Sequence, residues 1–139
     1  MTVLLDTNVI MDALQERSPF DIAAKEILLQ GQKGKITCLL TANAITDIFY
    51  LYSKARSADT ANTAIGFLLK TYNIVSVCHD DCTTALSLPI ADFEDALVVA
   101  CAQKVNADYI IIRDEKFLTA PSTVKILSPN EFVWRHMQN

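Results

Sequence analysis

The 139-residue chain is 51% hydrophobic and 20% charged, which is enough apolar material for a sizeable core without disulfides or a structural metal. One domain spanning 1–139 is expected. No apolar run approaches the roughly 18 residues of a membrane span, and no basic stretch leads into a cleavable apolar segment, so a cytoplasmic protein with no membrane partner is expected. A net charge of −4 and a pI of about 5.0 argue against a broad basic nucleic-acid footprint. They leave room for a site whose own acids supply much of the negative balance, because a bound cation reverses the local field.

Along the chain, short apolar runs alternate with helical patterns. Val3-Leu4-Leu5 reads as a buried strand that delivers Asp6 to the carboxyl edge of a sheet, ahead of a helix-like stretch. Phe20, Ala23, Ala24, Ile27 and Leu28 recur at helical spacing, with Gly31 and Gly34 as a stop. A second strand, Ile36 to Leu40, precedes a helix capped by Thr41 or Asn43 and carrying Asp47 in its first turns; Asp59 opens another helix. Ile74 to Val77 is the third strand. Asp92 caps a helix over Ala96 to Val105, with Asp95 placed as in a capping box. Tyr109 to Ile112, ending near Asp114, and Val124 to Leu127 complete the strands. Short strands separated by helices predict a three-layer α/β/α sandwich around a mostly parallel central sheet.

Asp6, Asp47, Asp95 and Asp114 come from separate segments and could converge on one point. Clustered carboxylates repel unless cations neutralise them, and an all-oxygen site suits Mg²⁺ or Mn²⁺. Asn8 can cap its helix or reach back to Asp6 in support. Asp92 is a cap that can share a helix face with Asp95. Asp12, Asp21, Asp59, Asp80, Asp81 and Asp108 read as turn, cap or surface acids. Arg113 and Lys116 flank Asp114, where they either touch a phosphate-bearing substrate or are simply solvated. Cys38 and Cys101 read as buried free thiols. Cys78-His79-x-x-Cys82 lacks paired partners for zinc, no phosphate-cradling glycine loop or nucleophile elbow is present, and Tyr50 and Tyr52 read as core residues in preference to base-stacking ones.

The ordered set Leu4-Leu5-Asp6-Thr7-Asn8, Thr41 to Asp47, Asp92-Phe93-Glu94-Asp95-Ala96-Leu97, Arg113-Asp114-Glu115-Lys116-Phe117 and Leu127-Ser128-Pro129-Asn130-Glu131-Phe132 resembles the PIN-domain family. That family includes the VapC-type toxin ribonucleases of toxin–antitoxin pairs. Two positions depart from its pattern: Asp47 stands for the usual Glu, and Ile112 for a common Thr. The resemblance implies a metal-dependent endoribonuclease that cleaves single-stranded RNA. It further implies metal held by Asp6, Asp95 and Asp114, a contribution from Asp47, a homodimer, and a small antitoxin partner. A PIN-like scaffold that binds protein or RNA with little catalysis is the alternative. A haloacid-dehalogenase-type phosphatase would need a second acid where Asn8 stands, and a receiver-like domain would need an adjacent acid pair at the first strand end.

Overall fold

The structure is a computed structural model describing residues 1–137, so the last two residues of the expected 1–139 span lie outside the described residues. Five strands, β1 (Thr2–Leu5), β2 (Thr37–Thr41), β3 (Asn73–Val75), β4 (Tyr109–Ile111) and β5 (Lys125–Leu127), form one sheet in the order β3-β2-β1-β4-β5. Every pairing is parallel. The helices are α1 (Thr7–Leu14), α2 (Asp21–Gln32), α3 (Ala42–Ala55), α4 (Ala58–Thr71), α5 (His79–Ser87), α6 (Phe93–Lys104), α7 (Glu115–Leu118) and α8 (Pro129–His136).

The period-two alternation of the strands sorts their side chains into two cores. Leu4, Leu39 and Ile110 face one side, under α5, α6 and α7, and are packed by Ala85, Val99, Cys101 and Phe117. Val3, Leu5, Cys38, Leu40 and Ile111 face the other, under α1 to α4 and α8, and meet Ile10, Ile27, Ile48, Leu68 and Phe132. This is a three-layer α/β/α arrangement with both sheet faces covered, as a parallel sheet requires. Helix α6 is buried continuously from Ala96 to Ala102, and its small residues allow it to lie close to the sheet. Burial also pushes the Cys38 thiol up to about 12 and the Cys101 thiol up to about 11, so both stay protonated. Among the described residues, no helix is long and apolar enough to cross a membrane.

Several boundaries differ from expectation. Helix α2 runs through Gly31 and ends beyond it, because the missing side chain is what lets Cys38 approach: a Cβ there would lie 2.6 Å from its sulfur. Gly34, at φ +75°, provides the turn instead. Thr41, not Asn43, caps α3, and Ser57, not Asp59, caps α4. The α5 helix lacked an apolar stripe to announce it. It starts from a capping box between Cys78 and Asp81, and Lys104 adds a 2.6 Å bond to the Asp81 carboxylate.

Asp12 is the main correction. It was expected at a turn, cap or surface, yet it is fully buried on α1. Arg113, just beyond β4, donates to it through Nε at 2.8 Å and Nη2 at 3.1 Å, and Arg17 stands 3.6 Å away. The Arg113 guanidinium also lies over the Phe20 ring, 4.1 Å from its centroid. This bidentate pair joins two segments 101 residues apart. Removing its basic half leaves the fully buried Asp12 carboxylate with only Arg17, 3.6 Å away, so Arg113→Ala should lose about 3 kcal/mol in a urea titration. A variant as stable as the parent would show that the pair contributes no more than a solvated one.

Candidate active site

The carboxyl ends of β2, β1 and β4 point to one edge, and a carboxylate sits at or just beyond each. Asp6 follows β1 directly. Its backbone N–H donates to the Ile111 carbonyl at 3.0 Å, locking the end of β1 beside β4, and its carboxylate accepts from the Asn8 N–H at 3.1 Å as the α1 cap. Asn8 therefore meets Asp6 through its main chain, not through the side chain expected to reach back. Asp114 caps α7 by accepting from the Lys116 N–H at 3.0 Å, and Asp92 caps α6 by accepting from the Asp95 N–H at 3.0 Å. The helix starts thus hold these acids in fixed rotamers and offer them partial positive charge.

Asp6 and Asp95 are the electrostatically distressed members. Burial, followed by the charges of Glu94 and Asp114, pushes the Asp6 carboxyl up to about 6 against the pull of the Asn8 and Thr7 N–H groups. Burial, then the charges of Asp92, Asp114, Asp6 and Glu94, pushes Asp95 up to about 6 as well. Glu94 is raised by burial and by Asp47 and Asp92. Asp6, Asp95 and Asp114 therefore share one field, and Asp47 joins it through Glu94. The sequence reading left Glu94 unassigned. Its signal was its place between Asp92 and Asp95 in the first turn of a helix aimed at the strand ends, where successive residues are about 100° apart and more than one can border the edge.

The acids border an open groove of about 270 Å³, lined by Asp6, Thr7, Asn8, Asp47, Tyr50, Leu51 and Glu94. Tyr50 is 58% exposed on its wall, contrary to the core placement expected for it, while Tyr52 does pack into the core. The Lys54 ammonium donates to the Tyr50 hydroxyl at 2.9 Å. Lys116 is exposed on α7, and Arg113 is committed to Asp12. Ile112 is buried in the α6-side core.

Among the described residues, no Lys or Arg lies within 4.0 Å of the carboxylates of Asp6, Asp47, Asp92, Glu94, Asp95 or Asp114; the ion pairs form on Asp12, Glu16, Asp21, Asp81 and Glu131. Nor do any three His, Cys, Asp or Glu side chains among them form a ready-made ion cage. The acids are a loose, all-oxygen, uncompensated set, and that chemistry fits a hard divalent cation.

A family model described as the PIN domain matches residues 2–116. The chain belongs to the PIN-domain family. Solved structures agree with this at the level of fold. VapBC2 from Rickettsia felis, bound to a promoter DNA fragment, superposes with a TM-score of 0.71 at 15% identity, covering 92% of this chain and 98% of that one. A toxin–antitoxin complex from Klebsiella pneumoniae gives 0.68 at 19% identity, covering 91% and 97%. The sarcin-ricin-loop-cleaving toxin VapC20 of Mycobacterium tuberculosis gives 0.67 at 15% identity, covering 83% and 92%. Comparison with curated protein sequences returns no significant match.

The raised carboxyls make stability depend on pH with a definite sign. A group whose folded pKa exceeds its unfolded value stabilises the fold below the unfolded value, here 3.8, and that contribution is lost as pH rises through about 6. In EDTA, Asp95→Asn should therefore be more stable than the parent near neutral pH by on the order of 1 kcal/mol, after allowing for solvent screening, and the gap should close at about pH 4. Thermal melts of both proteins across that range check this. A gap that is constant with pH would remove Asp95 from the coupled cluster.

Proposed function

We propose that this PIN-domain chain is a metal-dependent endoribonuclease that cleaves single-stranded RNA, acting as the toxin of a toxin–antitoxin pair. The observation that carries the reading is the row of carboxylates at the strand ends with no basic partner among the described residues, in a chain whose other buried acids are paired. Such a row is costly for a fold and useful to a site that recruits cations. The toxin–antitoxin complex among the structural neighbours supports a small antitoxin partner, and the sarcin-ricin-loop-cleaving neighbour supports RNA as substrate. A homodimer and a cytoplasmic location belong to the same proposal.

Asp6, Asp95 and Asp114 would hold one or two Mg²⁺ or Mn²⁺ ions. Such an ion supplies Lewis-acid polarisation of a phosphoryl oxygen and makes water easier to deprotonate. The remaining work falls to the chain. The Asp6 and Asp114 caps keep those carboxylates aimed by their N–H bonds, and Asp92 fixes the start of the helix that presents Asp95. Asp47 and Glu94 border the groove on the β2 side, where each can orient a water that reaches the site. Tyr50 and Leu51 offer a surface for a base, while Lys54, bonded to the Tyr50 hydroxyl, and Lys116, exposed on α7 after Asp114, are available as phosphate contacts. Asn8 supports Asp6 through its N–H. Arg113, placed beside Asp114 and bound to Asp12, serves substrate through its flat face and not by reaching for phosphate.

Asp6→Asn should leave the fold intact and abolish cleavage of a labelled single-stranded RNA, and EDTA should do the same to the parent until excess Mn²⁺ is added. Cleavage by repurified Asp6→Asn at the parental rate would dismiss the mechanism. Because Asp47 meets the cluster through Glu94, Asp47→Ala should lower kcat by less than Asp95→Asn does. Equal losses at saturating metal would place Asp47 among the direct ligands.

A further inference from the structure

The order of the strands lays out the sheet edge as a track. Tyr50 and Asp47 lie on the β2 side, Asp6 at β1, Asp114 after β4, and Ser128 after β5. Beyond Asp114 the edge continues into a second cavity of about 270 Å³, lined by Phe20, Arg113, Glu115, Leu118, Ser128, Pro129 and Asn130. The residues on either side of Asp114 in sequence both line it, so it adjoins the acid row directly.

We propose that this cavity is a subsite for one nucleobase of the RNA strand whose backbone crosses the acids, and that it favours a base with an exocyclic amino group. This rests on the ribonuclease reading above. The walls argue for a base and against a phosphate. Arg113 is the one cationic group lining the cavity, and two of its nitrogens are taken by Asp12, which is fully buried and would be left with only Arg17, 3.6 Å away, if Arg113 were released. The guanidinium charge is therefore offset, and what remains is a flat plate held against Phe20. The Phe20 ring is 39% exposed, and Leu118 and Pro129 add apolar walls. Glu115 repels a phosphate but accepts from an amino group. Ser128 already accepts from the Glu131 N–H at 3.1 Å, which leaves its hydroxyl proton free to donate to a ring nitrogen or carbonyl. An aromatic and apolar wall, an offset guanidinium and a lone carboxylate suit adenine, cytosine or guanine better than uracil.

The test uses full-length Asp6→Asn, which should bind RNA without cutting it, and fluorescein-labelled oligoadenylate, oligocytidylate and oligouridylate in Mg²⁺, read by anisotropy. Oligoadenylate and oligocytidylate should bind about tenfold more tightly than oligouridylate, in line with the loss of one stacked and bonded base. Adding Phe20→Ala should reduce that preference to about twofold or less. Asn130→Trp, which plugs the cavity from an exposed position, should do the same if Phe20→Ala perturbs folding. Phe20→Tyr should restore the preference. Equal binding of all three oligomers, or losses in the variants that are the same for all three, would overturn the subsite while leaving the ribonuclease reading in place. Absence of both RNA binding and cleavage in the otherwise unaltered parent would instead strike the ribonuclease reading, and the subsite with it.

Discussion

Repulsion among carboxylates at the carboxyl edge of the sheet is the constraint around which this molecule is arranged. Parallel strands end together, and each connection to a helix begins at the same edge, so acids placed just after strands are gathered whether or not they attract. Here burial and mutual charge raise Asp6, Glu94 and Asp95. What keeps them in place is the apolar material behind them: Val3, Leu4 and Leu5 in β1, and the continuously buried length of α6. The hydrophobic free energy of those segments is large enough to hold a local arrangement that electrostatics opposes.

Backbone geometry limits the strain. Asp6, Asp92 and Asp114 each begin a helix and accept one of its unpaired N–H groups. A cap needs an extended residue with a short acceptor, and a site at a strand end needs an acid. One residue meets both demands, because the turn from strand to helix passes through the capping conformation. Strand-to-helix junctions are accordingly where acids can be concentrated with the least loss of stability.

Pairing, more than depth, separates the acids by role. Asp12 and Asp81 are buried more deeply than most of the cluster, and both are answered by basic groups, Arg113 and Lys104. They tie distant segments together: Asp12 joins α1 to the end of β4, and Asp81 joins α5 to the end of α6. Asp6, Asp92 and Asp114 have backbone donors, and none of the cluster acids has such a cation among the described residues. Arg113 belongs to the structural pair even though it neighbours Asp114, and that commitment changes what the surface beside the acid row can bind.

The periodicity of the sequence, read alone, determined the parallel α/β architecture, the strand positions to within a residue or two, the placement of Asp6 and Asp95 at helix starts, and that of Asp114 just after a strand. Those features are local: alternating apolar runs, capping residues and turn chemistry act over a few positions and are visible in one dimension. The tertiary structure alone decided which acids are paired, because a partner 101 residues away leaves no periodic trace. That is why Asp12 resembled a surface acid and Arg113 a free one. Glu94 and Tyr50 were missed for a related reason: whether a helical side chain borders a groove or a core depends on the rotation of its helix against the sheet, and that is set by packing across the whole layer. The same physics put Gly31 inside α2, where contact with Cys38 on β2 outweighed its tendency to end a helix.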